Sequence, residues 1–163
     1  MLGYNCCQPS PAPMIGIDQS AAAAQMTKSD NALIAIVDDD AAARDAITSL
    51  VSAMGYRTFA CDGATTFLSS ALRPATRCLI ADVRMPGMGG LDLYRLLARS
   101  GEAVPTILMT AFPDETTRAS SLAAGVHGYL VKPFDPEALL ACLRDAIRAG
   151  PAIQKLNSPD PTG

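Results

Sequence analysis

The chain has 163 residues, 49% of them hydrophobic and 18% charged, with a formal net charge of −3. This is enough apolar material for one packed domain plus a tail. Basic and acidic residues are interspersed with no Lys/Arg-rich stripe, which argues against direct nucleic acid binding. No apolar run approaches the roughly eighteen residues of a spanning helix, so no membrane insertion is expected and the chain reads as cytoplasmic. The cysteines, Cys6, Cys7, Cys61, Cys78 and Cys142, are odd in number and lack metal-ligand spacing, so reduced thiols are expected.

Residues 1–30 hold turn formers and small residues without periodicity and read as a disordered extension; they lack the charged start and apolar centre of a signal peptide. Met26 would make a natural start. From residue 32, apolar runs alternate with helical patterns. "ALIAIV" (32–37) is the first expected strand, followed by a helix with Ala43, Ala46, Ile47, Leu50, Val51 and Met54 on one face. Gly55 stands where a left-handed cap is commonly needed. "YRTFA" (56–60) is more polar and suits an edge strand, and "ATTFLSSAL" (64–72) suits a short helix closed by Pro74.

A third unit runs from "RCLIAD" (77–82) through the loop "VRMPGMGG" to the helix "LDLYRLLARS". A fourth couples "PTILMT" (105–110) to a helix from about Asp114 to Ala124, with Ala119, Leu122 and Ala123 expected inward. A fifth couples "GYLV" (128–131) to a helix with Asp135 as N-cap, Pro136 in its first turn, and Leu139, Leu143, Ala146 and Ile147 buried. The residues from 150 to 163 read as a flexible tail. Five β-α units with near-continuous apolar strands imply a parallel sheet covered on both faces, wound right-handedly into an open doubly wound α/β fold.

In such folds chemistry gathers at the carboxyl ends of the strands. The first strand ends in Asp38, Asp39 and Asp40, the third in Asp82, the fourth in Thr110 and the fifth in Lys132. Two carboxylates about 4 Å apart repel by roughly 4 kcal/mol near a surface, and either a cation or a raised pKa offsets such a cost. Oxygen ligands in a small, partly hydrated site suit Mg²⁺. With Thr110 and Lys132 beside it, the pocket suits stabilisation of a transferring phosphoryl group. Asp82 stands alone before a Pro- and Gly-rich loop and is the better candidate for a nucleophile that forms an aspartyl phosphate.

The segments "IVDDD", "LIADVRMPGMGGLDL", "ILMTA" and "GYLVKPF" together resemble the signature blocks of response-regulator receiver domains of two-component signalling, most closely the FixJ-like branch. The resemblance covers residues 31–149 and implies a flavodoxin-like five-stranded sheet of order 2-1-3-4-5 with five helices. It implies that Asp82 accepts a phosphoryl group from a sensor histidine kinase or a histidine phosphotransfer protein. Asp38, Asp39, Asp82 and the backbone carbonyl of Arg84 would hold Mg²⁺, with Asp40 outside that set. Thr110 and Lys132 would bind phosphoryl oxygens, Ala111 would leave a small space, and Thr110 and Tyr129 would act as a switch. The Lys132–Pro133 bond is expected to be cis. A receiver of this kind is not an enzyme in the usual sense, although it assists its own phosphorylation and dephosphorylation.

The other phosphate-handling folds fit less well. A haloacid-dehalogenase-type phosphatase needs an aspartate two residues after the nucleophile, where Arg84 stands. A P-loop or a flavodoxin phosphate loop would not place carboxylates after the first strand. His127 reads as structural, and Met85 and Met88 as caps beside the site. About a dozen residues follow the fifth helix, too few for an output domain, so a stand-alone receiver is expected. Its output would be a changed surface at the fourth helix, fifth strand and fifth helix, used for a homodimer or another partner. The alternative is a phosphorelay intermediate or phosphate sink with no docking target.

Overall fold

The computed structural model describes residues 31–150, so the expected extension 1–30, with Cys6, Cys7 and Met26, and the tail beyond residue 150 lie outside it. Five strands, β1 (Leu33–Val37), β2 (Arg57–Cys61), β3 (Thr76–Asp82), β4 (Thr106–Thr110) and β5 (Gly128–Val131), alternate with five helices. These are α1 (Ala41–Ala53), α2 (Ala64–Ser69), α3 (Gly90–Arg99), α4 (Glu115–Ala123) and α5 (Pro136–Ala149), with a 3₁₀ turn at Arg73–Ala75. The strands form one parallel sheet of order β2-β1-β3-β4-β5. This is the expected flavodoxin-like arrangement.

Alternate residues of each strand serve opposite faces, as a two-residue period requires. Ile34, Ile36, Cys78, Ile80, Ile107 and Met109 meet Ile47 and Val51 of α1 and Leu139, Leu143 and Ala146 of α5 in one core layer. Ala35, Val37, Leu79, Ala81 and Leu108 meet Phe67 of α2 and Leu93, Tyr94 and Leu97 of α3 in the other. β1 and β3 are central and almost wholly buried, whereas β2 is at the edge and only Cys61 of it is buried. Each of the three helices that begin after an aspartate is capped by it. Asp40 accepts from the amides of Ala42 and Ala43, Asp114 from that of Thr117, and Asp135 from that of Glu137. Gly55 has φ +92° just after α1, as its place in the sequence suggests.

Several expectations need correction. Ala119, Leu122 and Ala123 of α4 are all exposed, Leu122 to 44%. The inward side of α4 is instead carried by Ser121, wholly buried, and half-buried Thr117. The Ser121 hydroxyl donates to the Thr117 carbonyl at 2.7 Å, which satisfies it inside the core without a polar partner across the interface. Ala46 of α1 is also exposed, at the margin of a stripe whose centre is Ile47 and Val51. The second helix ends at Ser69 rather than Leu72, because the chain turns extended at Ser70 before the 3₁₀ turn that contains Pro74. Met85 is buried in the second core layer with Met88 packed beside it, so these side chains anchor the loop after β3 rather than cap a site.

α3 starts against the strand it follows. A Cβ on Gly90 would lie 2.5 Å from the Asp82 carbonyl oxygen and 2.8 Å from a methyl of Leu108. Gly90→Ala is therefore expected to destabilise the fold by about 1–3 kcal/mol, since the clash is with backbone that cannot rotate away. Urea unfolding followed by circular dichroism measures this directly, and an unchanged midpoint would contradict the close approach.

Candidate functional site

β1 and β3 lie side by side, and each delivers an aspartate at its carboxyl end. Asp38 follows Val37 and is 1% exposed, while Asp82 is the last residue of β3 and is 8% exposed. Lys132 follows β5, and its own amide donates to the Thr110 carbonyl at 2.8 Å, which holds the turn against β4. From there its ammonium reaches both acids. Nζ is 2.7 Å from Oδ2 of Asp38 and 2.9 Å from Oδ1 of Asp82. Burial alone would lower the pKa of Lys132, but its hydrogen bonds to the two carboxylates and their charges outweigh that effect and leave it raised. The Lys132–Pro133 bond is cis, as the resemblance implies.

The second oxygen of each acid is held by backbone. Asp38 Oδ1 accepts from the amide of Asp40 at 2.9 Å, and Asp82 Oδ2 accepts from the amide of Arg84 at 2.7 Å. The Arg44 guanidinium donates to the Asp38 carbonyl at 2.8 Å and ties α1 to the same corner. Asp39 is exposed beside this pair. Asp40 is absorbed in capping α1, a structural role that fits its place outside the implied metal set.

Thr110 is brought to the same end of the sheet and is 1% exposed, yet both hydrogen bonds of its hydroxyl go to Phe112. It accepts from the Phe112 amide and donates to the Phe112 carbonyl, each at 3.1 Å. Phe112 itself is 66% exposed, and the Arg84 guanidinium lies 5.5 Å from its ring centroid. Ala111 is exposed between them. Tyr129 is half-buried on β5 and packs against the second core layer. Its phenol pKa is raised, first by burial and then by the charge of Asp114. His127 is exposed, and its amide serves the Thr106 carbonyl.

The structure thus joins Asp38, Asp82 and Lys132 by direct contact, with Asp39, Arg84 and Thr110 around them. Two contacts were not foreseen from the sequence, the Arg44 bond to Asp38 and the closed turn of Thr110 on Phe112. A threonine at a strand end, two residues before a free amide, carries a weak signal for such a turn. The donors are hard oxygens: two buried carboxylates, an exposed one and nearby carbonyls. They suit Mg²⁺, which keeps several waters and takes one or two carboxylates. Among the described residues, no three His, Cys, Asp or Glu side chains are grouped closely enough to hold a metal ion by themselves. Cys61 and Cys78 are buried free thiols, and burial pushes Cys78 up to about 12, so neither supplies a soft ligand here.

A five-stranded parallel sheet of this order, with two acids and a lysine joined at its carboxyl edge, defines a doubly wound α/β domain. The chain belongs to the response regulator receiver domain family, whose match spans residues 34–144. It is 42% identical over 127 residues to response regulator protein TmoT of Ectopseudomonas mendocina, covering 78% of this chain and 57% of that protein. It is 33% identical over 122 residues to transcriptional regulatory protein FixJ of Bradyrhizobium diazoefficiens, covering 74% and 60%. The chain therefore spans little more than half the length of these curated relatives. Among solved structures, it resembles response regulator StyR with TM-score 0.66 and 32% identity over 72% of this chain and 59% of that one. It also resembles FixJ-N, with TM-score 0.65 and 27% identity over 72% and 94%. Receiver domains of two-component systems work with histidine kinases, and phosphorylation and Mg²⁺ are general features of the family. No helix among the described residues is long and apolar enough to cross a membrane.

Lys132→Met would leave two buried acids facing each other without their shared cation. In Mg²⁺-free buffer this is expected to cost about 2–3 kcal/mol, less than for a fully buried pair because the lysine keeps some solvent exposure. The folded-state pKa of Lys132 lies above its unfolded value of 10.5, so the stability it confers is complete below that pH and is lost as pH rises through the folded value. The gap between wild type and variant, measured by denaturant unfolding, should be constant from neutral pH to about 9 and shrink above about 10.5. A gap that narrows below pH 8 would contradict the assignment.

Proposed function

We propose that this chain is a phospho-accepting receiver in which Asp82 takes a phosphoryl group from the phosphohistidine of a sensor histidine kinase or a histidine phosphotransfer protein. The observation that carries this reading is the Lys132 ammonium held against Asp82 at the carboxyl edge of the sheet, in a chain of this family. A carboxylate oxygen of Asp82 forms the new P–O bond as the P–N bond to the donor imidazole breaks. The departing nitrogen keeps the bonding electron pair and is neutralised by a proton from solvent. Lys132 orients the carboxylate beforehand and pairs with a phosphoryl oxygen afterwards. Thr110 would turn its hydroxyl away from Phe112 to donate to another. Asp38, Asp39, Asp82 and the carbonyl of Arg84 would hold Mg²⁺. When bound, that ion neutralises the charge that builds on the transferring oxygens.

Output would follow as a population shift that both Thr110 and Tyr129 bias, read out at α4, β5 and α5. Leu122 of α4 is 44% and Val131 of β5 40% exposed, so each of these elements offers an apolar side chain to a homodimer partner or another protein. This supports a docking role over that of a pure phosphate sink.

Incubation with acetyl phosphate and Mg²⁺ should add the mass of one phosphoryl group. Asp82→Asn or excess EDTA should abolish the adduct, and Asp38→Asn should reduce it at limiting Mg²⁺. An undiminished adduct on Asp82→Asn would sink the site assignment. In sedimentation experiments, beryllium fluoride should raise the weight-average mass of wild type, and Leu122→Glu should suppress that rise. A mass unmoved by the mimic would argue for the sink instead of the dimer.

A further inference from the structure

The Thr110 hydroxyl has one hydrogen to donate, and it is already committed to the Phe112 carbonyl. To serve any ligand at Asp82 it must first leave that turn. The turn is held in two ways. The Phe112 amide bonds back to the same hydroxyl, and the Phe112 ring carries the Arg84 guanidinium 5.5 Å from its centroid, within the range of a cation–π contact. Arg84 is in turn bonded through its amide to Asp82 at 2.7 Å. The contacts run in a chain from Asp82 through Arg84 and Phe112 to Thr110. This joins the loop after β3 to the loop after β4 outside the sheet.

We infer that Arg84 and Phe112 form a latch that keeps Thr110 turned away from Asp82 until the phosphoryl group arrives. Both are positioning residues, acting on the site through Thr110 and not by contact with the transferred group. The inference rests on the receiver reading of Asp82 and adds a named restraint to it. Asp114 is the nearby acid that also feels the Arg84 charge, but its carboxylate is already engaged by the hydroxyl and amide of Thr117. Both of these bonds go to Oδ2, so the carboxylate keeps its charge and is a second partner for the guanidinium. The Arg84 guanidinium is shared between the Phe112 ring, Asp114 and solvent, and its place over the ring biases the Thr110 turn.

A latch of this kind reduces the fraction of molecules competent to bind a phosphoryl mimic, and so weakens apparent affinity by that fraction. An exposed cation–π contact corresponds to a bias of about two- to five-fold. The test is titration of the full chain with beryllium fluoride at saturating Mg²⁺, read by nuclear magnetic resonance. Arg84→Gln and Phe112→Leu should each tighten binding by about two- to five-fold. The double variant should gain no more than the stronger single, because one contact has been removed twice. Arg84→Lys, which keeps a cation over the ring, should stay near wild type.

Without the mimic, hydrogen exchange of the Phe112 amide should quicken in Arg84→Gln while amides of β1 are unchanged, a response that general loosening would not give. The latch is overturned if the single variants bind as wild type does or more weakly, or if their effects multiply in the double variant. Should wild type itself fail to bind the mimic, the receiver reading and the latch fall together. Should wild type bind and Asp82→Asn not, while the latch variants are unmoved, the latch alone fails.

Discussion

One ammonium group holds the working edge of this protein together. Lys132 stands between Asp38 and Asp82, and through them it ties the ends of β1, β3 and β5, although β5 is three places away from β1 in the sheet. Two acids almost wholly removed from water cannot both stay ionised at low cost without such a partner. The amides of Asp40 and Arg84 take up the oxygens that Lys132 does not reach. The corner is therefore charged yet satisfied, and no buried side-chain polar atom among the described residues lacks a partner. That balance is what lets carboxylates sit at the top of a hydrophobic sheet.

The rest of the fold serves to place these groups. Strands buried on both faces fix the register by splitting their side chains between two core layers, so a slip of one residue would exchange the layers. Asp82 and the start of α3 are brought close by Gly90, which lets the helix press on the strand end. Arg44 reaches back from α1 to the Asp38 carbonyl, so the helix that follows the first acid also steadies it. Precision at the site thus comes from helices and strands, and the loops after β3 and β4 supply what can move.

Most of this was legible in the residues. The alternation of apolar runs and helical stripes gave the sheet and its helices, and the acids and lysine stood at strand ends where α/β folds gather their chemistry. The errors are physically instructive. The expectation for α4 followed apolarity, placing Ala119, Leu122 and Ala123 inward, but the buried positions are held by Ser121 and Thr117. A hydroxyl that bonds back to its own helix costs little inside, and a helical pattern of small residues has no strong preferred face. At the site, charge and position could be read, but the direction of the Thr110 hydroxyl could not. It depends on a turn closed by the backbone of Phe112, a contact without a side-chain signature.

The underside of α4 bears on more than the missed prediction. Interlocked leucines resist sliding because every displacement opens a void or a clash. A surface of serine and threonine that has met its own bonding needs presents no such teeth. Compared with α5, seated by Leu139, Leu143 and Ala146, α4 rests on a smoother bearing. Its seat on the sheet therefore has less interlocking of side chains than that of α5.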